Sequence, residues 1–583
     1  MLRLRSAVTT VGIAVLGCVT LSLALWTVYP DLPAVGHLAS GRAAPTTLPW
    51  SFSETGNGNR LDLTLRVRWG TPRRWRMIPD DHFVSIRVNG ELVSLSDVPP
   101  AALDDYQQGF VLDLGRWLHD GENHLVFVVD NRGGVGGLTM RPAPSWRNLL
   151  LVAGLLPWLL ALARAFRLRR VQTIVLGGAL VVLCWYWSAT AWNQRSYDVK
   201  GFGETGHIDY VVYVAEHGSL PPLDQGWQYY QPPLYYEGAA LTWRLARRCG
   251  ISATDALQAY SLVLWLVFLS ASAGALRLTL RRSLVSLALA TAALALWPSA
   301  ILHSVRIGND VGIYAVAAVC TWFMLRWWRG GRRRDLFGMA ISVAVAFGVK
   351  SSGLALLTTA TALVGLRALR HARWRRPEVR AESVAAVGVM LGGVALAIIR
   401  NYRYWRLGKV SGLLVCNIGG LDDNLRAHDE LMTFIPLDVP TFLASPWMSS
   451  RDDATGRRNV WNYLLRSSLS GEFSFEGSLH VAIALLWGVL LLGLIILLLL
   501  RTYRHRPSLA SLWRDAPWVL LSLAWIGSLL SLRALSPIPC QADFRYIVPA
   551  LVPFVLACTR GGRLPQALLA AMALSAAVFF VTV

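Results

Sequence analysis

The stretch YDVKGFGETGHIDYVVYVAEHGSLPPLDQGWQYYQPPLYY, residues 197–236, decides how the chain is read. It lies between two apolar segments, yet it carries acids, two histidines, a group of tyrosines and two Pro-Pro pairs. No bilayer-spanning helix tolerates that composition, because polar groups in hydrocarbon must be satisfied within the segment itself. The stretch therefore belongs at a membrane surface, and the apolar chain on either side of it belongs in the membrane.

Of the 583 residues, 54% are hydrophobic and only 16% charged, and the mean hydropathy is +0.43. This composition is that of a mainly α, polytopic membrane protein. Apolar runs at 149–166, 171–190, 257–276, 284–305, 311–325, 336–349, 353–366, 384–399, 479–500, 516–532, 546–558 and 566–583 follow a first one near the N-terminus, about thirteen spans in all. The net charge of +21 is concentrated in Arg-rich links at 167–170, 277–282, 326–334, 367–380, 501–514 and 560–563. These are alternate links, as the positive-inside rule requires, so they mark the cytoplasmic side and carry no signal for nucleic acid. The expected location is the cytoplasmic (inner) membrane, with the N-terminus in the cytoplasm. The remaining links, 191–256, 306–310, 400–477 and 533–545, then share the outer, periplasmic side. Seven cysteines without CxxC spacing indicate neither a zinc site nor a disulfide scaffold; Cys416 and Cys540, both in segments placed outside, are the pair to watch.

Three regions follow: a transmembrane helix at 1–29, an extracytoplasmic β-sandwich at 30–147, and a polytopic membrane domain at 148–583 with outer loops 191–256 and 400–477. LDLTLRVRW (61–69) alternates apolar and polar residues, as a strand with one buried face does. VSIRVNGELVSL (84–95) is centred on Asn89-Gly90, a two-residue hairpin signal. FVLDLGRWL (110–118) and NHLVFVVDNRGG (123–134) complete the pattern. The order resembles galactose-binding-like jelly rolls, and Trp69, Trp75 and Trp117 could stack on sugar rings, fill the core or touch the membrane.

The outer links offer Asp198, Glu204, His207 and Asp209, then Asn309 and Asp310, Lys350, Arg400 and Arg403, and Asp543 with Arg545. Ionisable residues at the ends of transmembrane helices are costly and mark functional candidates. Lys350 and Arg400 either snorkel to the interface or hold phosphate oxygens. His207 reads as an orienting hydrogen-bond partner rather than a metal ligand. Asp209 stands where a helix-start residue would. Carboxylates to take a proton or hold a metal, cations for phosphate and aromatic faces for sugar or lipid fit sugar transfer from a lipid phosphate. A transporter or flippase of lipid-linked saccharide would instead scatter charge through the bilayer midplane, and a sugar-binding sensor would work through its sandwich alone.

GHIDYVVYVAEHGSLP (206–221), YYQPPLYY (229–236), the Gly308-Asn309-Asp310 turn, VKSSGLALL (349–357), RNYRYWRLG (400–408) and ADFRYIVPALVP (542–553) occur in that order. In this the chain resembles GT-C fold membrane glycosyltransferases of the protein O-mannosyltransferase and aminoarabinose transferase group (family 39-like), over 171–553 and outside the sandwich. The resemblance implies a polyprenyl-phosphate-linked sugar donor, a cell-envelope glycan, lipid or protein acceptor, and inversion at the anomeric carbon. It implies an acidic base in the first large outer loop: either Glu204 takes the usual place, or GFGETG lengthens the loop and Asp198 folds back. Asp310 would be the second acid, positioning donor or acceptor with His207, Asp209, Asn309, Tyr230, Gln231 and Tyr235. YYQPPLYY lacks the lysine some relatives place there, so phosphate binding falls to Lys350, Arg400 or Arg545. A divalent metal (Mg or Mn) stays open, and no organic cofactor is expected.

Overall fold

The computed structural model describes residues 2–46, 48, 50–106, 108–134, 136–189, 206–226, 228–280, 283–370, 376–414, 431–449 and 453–582. Ten strands follow the first helix: β1 Ala34–His37, β2 Ala43–Thr46, β3 Trp50–Phe52, β4 Gly56–Val67, β5 Arg74–Asp80, β6 His82–Val88, β7 Glu91–Leu92, β8 Phe110–Asp113, β9 Gly121–Asn131 and β10 Gly136–Pro142. They form one sheet in the order β2-β1-β4-β9-β6-β7 and another in the order β3-β10-β5-β8. Leu61, Leu63 and Leu65 from the first sheet and Trp75, Met77 and Met140 from the second are buried in one core, so the alternation of 61–69 does mark a single buried face. Asn89 and Gly90 both have positive φ (52° and 89°), as a type I′ hairpin requires. β5 and β10 escape a period-two reading because Met77, Ile78 and Pro79 of β5 are buried in succession and every residue of β10 is buried.

Trp75 is fully buried and Trp117 packs against the same core, whereas Trp69 is 92% exposed. Gly70, beside it, is the site where an added Cβ would meet Thr27 at 2.9 Å, near the end of the first helix. Trp69 is thus placed where an interfacial tryptophan belongs.

Eighteen helices are described. The long ones are α1 Leu2–Val28, α2 Leu149–Ala165 and α3 Arg170–Ala189; after the surface helices α4 His207–His217 and α5 Leu234–Arg248 come α6 Ala253–Thr279, α7 Leu284–Ala295 and α8 Pro298–Ser304. Next are α9 Asn309–Gly330, α10 Arg333–Val349, α11 Leu354–Arg370 and α12 Pro377–Arg406, and then the short α13 Val439–Ala444 and α14 Val460–Ser470. The chain ends with α15 Ser478–Arg504, α16 Leu509–Leu535, α17 Leu551–Arg560 and α18 Arg563–Thr582. Among the described residues, eleven helical segments are long and apolar enough to cross a membrane, or twelve if α7 and α8, bent by 57° where Pro298 interrupts the ladder, form one span. The expected thirteenth, at 336–349, is the 17-residue α10, whose first turn carries Arg333, Arg334 and Asp335. At the end of the bundle away from the sandwich, Arg277, Arg329 and Arg367 donate to the carbonyls of Arg167, Leu278 and Trp327. The Arg-rich links thus satisfy the last carbonyls of neighbouring helices as well as marking one side.

α10 and α12 approach closely because Gly393 has no side chain: a Cβ there would lie 2.5 Å from the Ala344 Cα and 2.8 Å from its carbonyl oxygen. Gly393→Val is expected to destabilise the protein by about 1–3 kcal/mol. Gly388→Ala, on the same helix with nothing within 4 Å, is expected to be neutral or slightly stabilising. Thermal unfolding of the two variants in one detergent checks the difference.

Candidate functional site

The site is built where α9 starts and α10 ends. Asn309 donates from Nδ2 to the Val349 carbonyl at 3.0 Å and to Gln231 Oε1 at 3.0 Å. The last carbonyls of a helix lack partners within it, so Asn309 closes α10 and brings Asp310 alongside Lys350. Lys350 Nζ pairs with Asp310 Oδ1, and the lysine is only 9% exposed. Its ammonium also lies 4.8 Å from the centre of the Tyr546 ring, and the Arg545 guanidinium lies 5.0 Å from the same ring. Arg545 reaches Asp543 at 3.4 Å (Nε to Oδ2) and donates to the Tyr546 hydroxyl at 3.2 Å. Phe544–Ala550 carries these groups as a tight 3-10 segment, broken at Ile547, ahead of α17.

His207, the first residue of α4, enters this cluster from the polar stretch at 197–236. Its Nδ1 is 2.7 Å from the Tyr236 hydroxyl, and the Tyr236 ring stacks on Tyr210 at 3.8 Å. Gly308 lets the imidazole in, since a Cβ there would sit 3.3 Å from His207 Nε2. Burial pushes the His207 pKa down to about 3; the Asp310 charge opposes that shift, and the Lys350, Arg545 and Arg306 charges add to it. The ring is therefore neutral near pH 7, with one nitrogen donating and the other accepting. The Tyr235 hydroxyl accepts from the Gly308 amide at 3.0 Å and lies 3.3 Å from Ser261 Oγ. Asp209 Oδ2 accepts from the Gly206 amide at 2.9 Å, the bond of a helix-start residue.

Beside the cluster, Arg400 on α12 donates to the carbonyls of Tyr230 (3.1 Å) and Tyr229 (3.0 Å) and to the Tyr210 hydroxyl (3.4 Å). It clamps the turn ahead of the two prolines. Below it a largely apolar cavity of about 720 Å³ opens between α10 and α12, lined among others by Tyr230, Gln231, Pro233, Phe347, Leu396 and Arg400. Gln231 belongs to both features, lining the cavity and accepting from Asn309.

The structure brings His207, Gln231, Tyr235, Asn309, Asp310, Lys350 and Arg545 together, with Tyr230 and Arg400 at the cavity mouth and Asp209 at the start of α4. Asp198, Glu204 and Cys416 lie outside the described residues. Four neighbours were not singled out as site residues from the sequence: Tyr236, Tyr546, His303 and Arg306. Arg306 Nη1 lies 3.2 Å from His303 Nδ1 and its guanidinium 5.2 Å from the Phe473 ring centre. Both are ionisable residues at the end of an apolar run, the signal that would have found them; Tyr546 carried no such signal. Among the described residues no group of three or more His, Cys, Asp or Glu side chains could hold a metal ion. Asp310 faces Lys350 and Asp543 faces Arg545, so these donors do not fit a divalent cation.

Fold and site together define a multi-pass membrane protein with a mixed-charge cluster at the sandwich-side ends of its helices. No family model and no curated protein matches the chain. Among solved structures it is similar to the crystal structure of ArnT from Cupriavidus metallidurans bound to undecaprenyl phosphate, with 14% identity and a TM-score of 0.30 over 66% of this chain and 76% of that one. ArnT in the apo state gives 16% identity and a TM-score of 0.32 over 67% and 77%. The cryo-EM structure of the arabinosyltransferase EmbB from Mycobacterium smegmatis gives 14% and 0.29 over 99% and 63%. Likenesses of this size leave the function to the chain's own residues.

A neutral buried His207 makes stability depend on pH with a definite sign. The unfolded chain protonates this histidine near pH 6.5, while the folded protein holds it unprotonated down to about pH 3. The unfolded state therefore binds more protons in that window, so the contribution is complete above about pH 6.5 and declines as pH falls towards 3. His207→Gln is expected to flatten the acid limb of unfolding free energy against pH by up to about 1.4 kcal/mol per pH unit. Equal slopes in the two proteins would contradict the neutral imidazole.

Proposed function

We propose that this chain is a GT-C-like glycosyltransferase that moves a sugar from a polyprenyl-phosphate donor to an acceptor on the outer face of the cytoplasmic membrane, with inversion. The observation that carries the reading is the apolar cavity meeting the charged cluster at Gln231, beside Arg400. An isoprenoid chain would lie in the cavity, where each buried CH₂ contributes ~0.8 kcal/mol. The phosphate would then stand near Arg400, Lys350 and Arg545.

In the proposed reaction an acceptor hydroxyl attacks the anomeric carbon while the bond from that carbon to the phosphate oxygen breaks. The electron pair leaves with the lipid phosphate. Preorganised cations aimed at the oxygen that gains charge accelerate such a step, and Lys350, Arg400 and Arg545 are the cations assigned that work. Asp198 or Glu204 takes the acceptor proton. Asp310 positions the reactants, and the neutral His207 orients them through its hydrogen bond with Tyr236. The acceptor is a cell-envelope glycan, lipid or protein, and the N-terminus lies in the cytoplasm.

Membranes supplied with a labelled polyprenyl-phosphate sugar test the proposal. Lys350→Met is expected to lower kcat by about 10²–10³-fold, and Asp198→Asn combined with Glu204→Gln to abolish transfer. Full transfer by the double variant would overturn the assignment of the base. Leu396→Trp, which fills the cavity, is expected to raise KM for a long-chain donor and leave a short-chain analogue unaffected; equal effects on both would remove the cavity from the donor site.

A further inference from the structure

α3 ends at Ala189, and within a few residues the chain enters the polar stretch at 197–236. Three consecutive residues at that helix end are held from outside the membrane helices. The Ala189 carbonyl accepts from Arg76 Nη1 of β5 at 2.7 Å. The Trp187 carbonyl accepts from Arg141 Nη1 of β10 at 3.5 Å. The Ser188 hydroxyl accepts from Asn148 Nδ2, between sandwich and α2, at 2.5 Å and from the Tyr29 hydroxyl at 3.5 Å.

Arg141 is itself fixed. It is 5% exposed, its Nη2 lies 2.7 Å from Asp255 Oδ1 and 3.4 Å from Gln258 Oε1, and its guanidinium lies 5.2 Å from the Tyr29 ring centre. Gln258 Oε1 also accepts from Trp187 Nε1 at 2.8 Å, and Asp255 Oδ2 from Ser252 Oγ at 2.6 Å. The sandwich, the end of α3 and the start of α6 are thus joined through one buried ion pair and its neighbours. The other end of the intervening chain is held at His207 in the charged cluster.

We infer that the β-sandwich is a positioning element for the membrane domain: Arg76 and Arg141 fix the helix end from which the acid-bearing stretch departs. The sandwich thereby sets where the functional segment begins, a role independent of any sugar it binds. The structural part stands on the contacts above; only its kinetic consequence rests on the proposed transfer reaction.

Hydrogen exchange on the full-length protein in lipid nanodiscs tests it. One variant is Arg76→Ala. The other is Arg141→Met with Asp255→Leu, which removes a buried pair together and so avoids stranding one charge. Both are expected to lower protection at least about tenfold over 184–189 and 206–212 while β4 and β9 keep theirs. Unchanged protection over 184–189 and 206–212, or equal loss throughout the sandwich, would overturn the inference. In the donor assay the same variants are expected to lower kcat about tenfold or more with donor KM unchanged, and Arg76→Lys to retain most of it. A wild-type protein without transfer would sink the proposed reaction, while the exchange result would still decide the positioning role.

Discussion

Lys350 and Asp310 face each other at the ends of α10 and α9, and the lysine is almost wholly shielded from solvent. Taking two charges out of water costs several kcal/mol per ion, and their attraction offsets this only when the geometry is good and the remaining polar atoms are satisfied. Much of the surrounding chain meets that requirement. Asn309 ties the two helix ends together, and Gly312, where a Cβ would come within 2.9 Å of Val349, lets α9 and α10 pack closely enough for the pair to form. Tyr546 offers its ring to both Lys350 and Arg545. The tyrosines of the 229–236 segment then satisfy His207 and the Gly308 amide with their hydroxyls while filling space with their rings.

The polar stretch, the Arg-rich links and the strand alternation were legible because each follows from a one-dimensional rule: no unsatisfied polar groups in hydrocarbon, cations on one side, period two on a half-buried sheet. β10 was not, because a strand covered on both faces shows no alternation. The grouping of His207, Asn309, Asp310, Lys350 and Arg545 was legible as a set of helix-end ionisable residues but not as contacts. Which of them meet depends on helix register and on residues such as Gly308, whose value lies in an absent side chain. Arg400 shows the opposite limit. It read as a phosphate ligand by charge, and its guanidinium also holds the Tyr229 and Tyr230 carbonyls, a role that no pattern in RNYRYWRLG announces.

In the proposed transfer, the same ion pair divides the chemistry between segments. A carboxylate bonded to an ammonium has part of its proton affinity already compensated, which makes Asp310 a better positioning group than base. A base needs a carboxylate that can meet an incoming hydroxyl, and the segment preceding His207 supplies two in Asp198 and Glu204. That segment joins two fixed points of different origin: the end of α3, tied to the sandwich through Arg76 and Arg141, and His207, packed against Gly308 in the cluster. Through Arg76 and Arg141 the sandwich that follows the first helix reaches the Ala189 and Trp187 carbonyls, and with them the last turn of α3.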